Sequence, residues 1–134
     1  MKKLSFIALT LLAVLFVSCG KEDDPEANKP DTSIDKTQIY GKWMTADSTY
    51  FEVYYSDGTG KTWDLKDDVQ EEDAQLFTWE FDEHSDDRFT QYHQMEIDGD
   101  AVVPQSCIIM ELTSEKFSYN NEGLRATYNL IRAN

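Results

Sequence analysis

From about residue 39 onward, apolar and polar side chains alternate along the chain. Phe77, Trp79 and Phe81 share one parity and Thr78, Glu80 and Asp82 the other, the period of a strand with one face in a core and one in water. The same beat runs through Phe51, Val53 and Tyr55 against Glu52 and Tyr54. It recurs at Trp63 and Leu65 against Thr62, Asp64 and Lys66, and at Tyr128 and Leu130 against Thr127 and Asn129. In the series Phe89, Gln91, His93, Met95, Ile97 it places two polar groups on the inward face. Glycine- and asparagine-rich turns separate the runs: Ser56-Asp57-Gly58-Thr59-Gly60, Asp98-Gly99-Asp100 and Asn120-Asn121-Glu122-Gly123. The pattern predicts about eight strands, near 39–46, 48–56, 60–66, 76–82, 87–97, 106–112, 116–120 and 124–132, with no helical period after Lys36. Short turns between successive strands favour an up-and-down meander. Eight such strands must close or stack to cover their apolar faces, and closure also removes the edges. The expected fold class is therefore all-β, an antiparallel barrel, with a two-sheet sandwich as the alternative.

The first part of the chain follows a different rule. Met1-Lys2-Lys3 is basic, and Leu4 to Val17 is apolar apart from Ser5 and Thr10. A span of 14 residues is shorter than the ~20 needed to cross a bilayer, and it fits the apolar stretch of a secretory signal peptide. Glu22 to Lys36 then carries two prolines, many charges and a single large apolar residue, Ile34, a composition that cannot bury enough surface to fold. The chain thus divides into a signal peptide (1–18), a flexible acidic tether (19–36) and one small domain (37–134). A domain this small buries only about 60–65% of its unfolded surface, so it needs a well-filled core.

Charge narrows the partners. The full chain has 12 basic and 26 acidic residues, net −14. Loss of Lys2 and Lys3 with the signal leaves 10 against 26, net −16. Phosphate backbones need basic patches, so nucleic acid is not an expected partner. Cys107 is the one cysteine of the domain. It is expected as a small buried hydrophobe, with a free reactive thiol as the alternative.

Two stretches carry resemblances. Phe16-Val17-Ser18-Cys19 resembles the lipobox of bacterial lipoprotein precursors. That resemblance implies cleavage before Cys19 and lipidation of its thiol, and two or more acyl chains at about 0.8 kcal/mol per buried CH₂ give stable membrane anchoring. Lys21-Glu22-Asp23-Asp24 resembles the export tag of surface lipoproteins in the Bacteroidetes group. It implies an outer-membrane location facing the cell surface, with the periplasmic face as the alternative. Gly41-Lys42-Trp43 matches the G-x-W element of lipocalins, and Tyr54 to Gly60 is similar to the DGTG hairpin of small lipocalin-like lipoproteins of gut bacteria. Phe77-Thr78-Trp79, Ile109 to Thr113 and Tyr128 to Arg132 follow in that family's order. The resemblance covers about 40 to 132. It implies a barrel closed at one end by a pair, Trp43 with Arg132 packed over it.

The residues offer little for catalysis, which needs a nucleophile, a base and an orienter within reach. His84 lies in a polar turn, and His93 reads as a core histidine or a ligand contact. Asp98-Gly99-Asp100 lacks the spacing of a calcium loop, and the acidic run from Asp67 to Asp73 reads as a solvated loop or a weak site for cations. We expect no enzyme, cofactor or metal. The expectation is a membrane-anchored barrel binding a small apolar or amphipathic molecule in an aromatic cup lined by Phe51, Val53, Trp63, Trp79, Phe81, Phe89, Gln91, His93, Met95 and Tyr128. The alternative is a filled barrel that engages a protein partner through an exposed patch around Tyr50, Tyr54 and Tyr92.

Overall fold

The computed structural model describes residues 33–95 and 100–134. The expected signal peptide, Cys19 and the expected tether up to Thr32 lie outside the described residues, as do Ile97 and the Asp98-Gly99 pair. Eight strands follow one another: β1 (Gly41–Met44), β2 (Tyr50–Tyr54), β3 (Thr59–Asp64), β4 (Gln75–Phe81), β5 (Arg88–Gln94), β6 (Val102–Leu112), β7 (Lys116–Asn121) and β8 (Ala126–Arg132). Each pairs antiparallel with the next, and β8 returns to β1 through Trp43↔Arg132 and Met44↔Ile131, closing an up-and-down barrel. Three single 3₁₀ turns, Lys36–Ile39, Leu65–Asp67 and Glu71–Asp73, are the helical elements among the described residues.

Strand positions follow the alternation closely, with one large difference. β6 starts at Val102, four residues earlier than expected, and runs through Pro104. A proline lacks the N–H a ladder needs. Pro104 faces Tyr92 on β5, while pairing of β6 with β7 begins only at Cys107. On that side β6 is locally an edge, where proline is tolerated. The last turn also shifts: Asn121 still belongs to β7 and points inward, so the reversal falls at residues 122–125.

The compact unit begins at Ser33, ahead of the expected boundary. Ile34 packs against the core, and Asp35 caps the 3₁₀ turn by accepting from Thr37 N–H. This segment crosses one end of the barrel. Trp43 Nε1 donates to Ile39 O at 2.8 Å. The Arg132 guanidinium lies 3.8 Å from the centre of the Trp43 ring and donates to Gln38 O (2.7 Å), Tyr40 O (2.6 Å) and Ser114 O (3.0 Å). Gly41 has φ +117°, and a Cβ there would sit 2.7 Å from Arg132 Nη1. The glycine is thus required twice, by its backbone conformation and by the cation beside it. Ile39, Trp43, Phe89, Phe117 and Leu130 fill this end.

The expected inward set needs correction on β2 and β3. Tyr50, Glu52 and Tyr54 point inward, and Phe51 and Val53 point outward. Trp63, opposite Phe51, points outward with it. The segment Tyr-Phe-Glu-Val-Tyr has large side chains on both parities, so alternation alone does not choose the phase, and a one-residue shift exchanges the faces. Phe51 and Trp63 stack at 4.9 Å on the outer wall. They are covered there, because the 65–74 connection folds back on β3. Glu71 pairs with Lys42 and Lys61 at 2.9 Å each, and those two ammonium groups lie over the Trp63 ring at 4.9 and 5.6 Å. Part of the acidic run thus binds two lysines of its own chain.

Arg132→Lys should lower stability by about 2 kcal/mol. An ammonium cannot hold three diverging carbonyls while stacking on an indole. Urea unfolding checks this, and an unchanged midpoint would show that the pair does not hold the closed end.

Candidate functional site

The barrel interior has two halves of opposite character. The half against Trp43 is packed with rings: Tyr54 meets Phe77, Trp79, Phe89 and Phe117 at 5.3 to 6.1 Å, mostly edge to face. The other half is an open cup of about 320 Å³. Strand β5 delivers Gln91 and His93 to it, β6 delivers Val103 and Gln105, β7 delivers Tyr119 and Asn121, and β8 delivers Tyr128. Tyr50, Thr62 and Gln75 complete the wall, with Gln94 and Leu124 at the rim.

Beneath the cup lies a buried carboxylate. Glu52 is 1% exposed. Its Oε1 accepts from Tyr50 Oη (2.7 Å) and Tyr119 Oη (2.5 Å), and its Oε2 accepts from Tyr54 Oη (2.8 Å). Burial pushes the Glu52 carboxyl above its ordinary value, and the three hydroxyl donors pull it partly back. Burial, then the Glu52 charge, drives Tyr54 and Tyr119 well above the usual phenol value, so both keep their protons.

Those protons fix the direction of the whole network. Tyr54 and Tyr119 donate to Glu52, so their oxygens must accept from the next layer. Gln91 Nε2 supplies that layer, donating to Tyr54 Oη at 2.6 Å and more weakly to Tyr119 Oη at 3.5 Å. Gln91 Oε1 then accepts, and it lies 3.1 Å from His93 Nε2. The hydrogen therefore belongs on Nε2, and in neutral His93 the Nδ1 keeps a lone pair. Burial lowers the His93 pKa, which favours that neutral form. The ring also stacks on Phe77 at 5.0 Å. A second amide pair stands opposite, with Asn121 Nδ2 donating to Gln105 Oε1 at 2.7 Å.

Of the expected lining residues, Gln91, His93 and Tyr128 meet in the cup. Trp79 and Phe89 lie in the packed half, and Phe81 packs at its margin under Lys36, whose Nζ is 5.1 Å from the ring centre. Phe51, Val53 and Trp63 are on the outer wall, as described. Met95 is 45% exposed beyond the end of β5 and is not among the residues that line the cup. The aromatic cup expected from alternation is thus replaced by one of amides, phenols and an imidazole. The expected outer tyrosine patch also dissolves: Tyr54 is buried and Tyr50 faces the cup, leaving Tyr92 outside, where it donates to Glu80. Glu52 was missed because its neighbours on both parities are apolar. The one signal available was a carboxylate flanked at i±2 by two tyrosines. Cys107 is buried and its thiol is pushed up to about 12, so it holds no thiolate at neutral pH.

No family model, curated protein or solved structure matches this chain.

Glu52→Gln removes one acceptor from a site with three donors, at a cost of roughly 1–3 kcal/mol. A carboxyl whose folded pKa lies above its unfolded value of 4.5 stabilises below that value, and the contribution is lost as pH rises through the folded pKa. The advantage of the wild type over Glu52→Gln should therefore be largest near pH 4 and shrink toward neutrality. Urea midpoints of both proteins at several pH values measure this, and an advantage growing with pH would contradict it.

Proposed function

We propose that this chain is a lipid-anchored, lipocalin-like protein of the outer membrane whose barrel holds one small amphipathic molecule. The observation that carries the reading is the open cup beside Gln91 and His93, in a barrel whose other end is plugged. A binding site of this kind is concave, largely preformed and furnished with a few oriented polar groups. Glu52, its three tyrosines and Gln91 hold the polar groups of the floor without help from a ligand, so little ordering cost remains for binding. The role is binding rather than catalysis, and attachment to the membrane is through lipid on Cys19.

A second reading, a protein-interaction module, is favoured by one feature. The outer wall carries an apolar groove between Tyr55, Leu76, Tyr92 and Val102, with Leu76 70% and Val102 50% exposed. The cup distinguishes the two readings, since a partner bound on the outer wall does not need it.

Native mass spectrometry of the full chain, exposed to an extract of its growth medium, should show one added small mass that His93→Ala removes. A well-folded sample that stays bare, or an adduct indifferent to that change, would favour the outer-wall reading. Cys19→Ser should move the protein from the detergent to the aqueous phase on phase separation, and unchanged partitioning would exclude the lipid anchor.

A further inference from the structure

We infer that the cup takes a neutral, polyhydroxylated ring of monosaccharide size. This deepens the ligand-binding reading above and rests on it. The first observation is charge. No side chain lining the cup is charged at neutral pH once His93 is neutral. Glu52 lies beneath the cup rather than in its lining, and already accepts from three hydroxyls. No cationic side chain lines the cup to pair with an anion.

The second observation is hydrogen-bonding capacity. Among the described residues, nothing in the protein takes up His93 Nδ1, Tyr128 Oη or Gln105 Nε2, and all three residues line the cavity. They are one acceptor, one hydroxyl that can act either way, and one donor. An apolar ligand would desolvate them and leave them unpaired, which is unfavourable. Vicinal hydroxyls, each both donor and acceptor, match such a set.

Ring geometry gives the third. Tyr128 is stacked on Tyr119 at 4.9 Å and meets Tyr50 at 5.5 Å, while His93 rests on Phe77. One face of His93 and one of Tyr128 are thus covered within the protein, which leaves less stacking surface for a flat heteroaromatic base. Volume agrees: about 320 Å³ is the space of roughly ten waters, room for one sugar ring together with several retained waters.

The test uses the full chain in a polyoxyethylene detergent, because sugar-headed detergents would compete. Saturation-transfer NMR is run with glucose, galactose, mannose and N-acetylglucosamine, and in parallel with glucuronate, glucosamine, adenine and palmitate. At least one neutral sugar should bind saturably, with glucuronate and glucosamine about tenfold weaker or worse. Tyr128→Phe and Gln105→Leu, with unchanged melting temperatures, should each weaken that sugar about tenfold. Saturable binding of palmitate or adenine without any neutral sugar would overturn the ligand class and leave the cup a binding site. Sugar binding unaffected by both substitutions would overturn the location. Binding of no probe at all would overturn this inference, and a bare protein in the growth-medium experiment as well would remove the ligand reading with it.

Discussion

Three tyrosine hydroxyls converge on one buried carboxylate at the centre of the barrel, and much else follows from that arrangement. A lone carboxylate in such a place would be costly. Glu52 is tolerable because Tyr50, Tyr54 and Tyr119 satisfy it from two strands. The arrangement sets the phase of β2, since Glu52 can be satisfied only where those hydroxyls are. Tyr50 and Tyr54 go inward with it, and Phe51 and Val53 are sent outward. It also divides the interior: below it rings pack on rings, and above it each polar group must find a donor or acceptor in the layer beneath.

The two ends of the barrel show how one wall serves opposite purposes. At the plugged end a guanidinium, an indole and a glycine are mutually dependent. Arg132 ties down three carbonyls of two segments, Trp43 gives it a flat face, and Gly41 leaves room for it. At the open end nothing crosses the mouth among the described residues, and the side chains there are amides and phenols whose remaining capacity faces the cavity. The base is thus held rigid, while the open end keeps its polar groups on the cavity wall.

The outer wall solves a different problem. Strands β2 and β3 carry apolar side chains on their water-facing side, which a bare barrel would expose. The 65–74 connection covers them, and its Glu71 is pinned by Lys42 and Lys61. The carboxyl is held below its ordinary value chiefly by the hydrogen bond from Lys61, then by that from Lys42. These groups are partly exposed, so the pairing orders the loop more than it stabilises the fold. Val53 and Trp63 are consequently buried without belonging to the main core.

Local sequence determined the number of strands, most of their limits and their up-and-down antiparallel succession, because period-two alternation and turn residues act over a few residues at a time; closure in place of a two-sheet sandwich was decided by the pairing of β8 with β1. On β4 and β5 it also determined which side chains face inward, since there one parity is plainly more polar. It could not determine the phase of β2 and β3, where both parities are apolar and the choice depends on the Tyr119 hydroxyl from β7 and on the 65–74 connection folding back over the outer wall. Nor could it show β6 continuing through Pro104, which is permitted only because β7 has not yet joined it at that level. The polar character of the cup was decided in the same way. Gln105, Tyr119 and Asn121 come from strands far apart in sequence, and only closure of the barrel brings them face to face with Gln91 and His93.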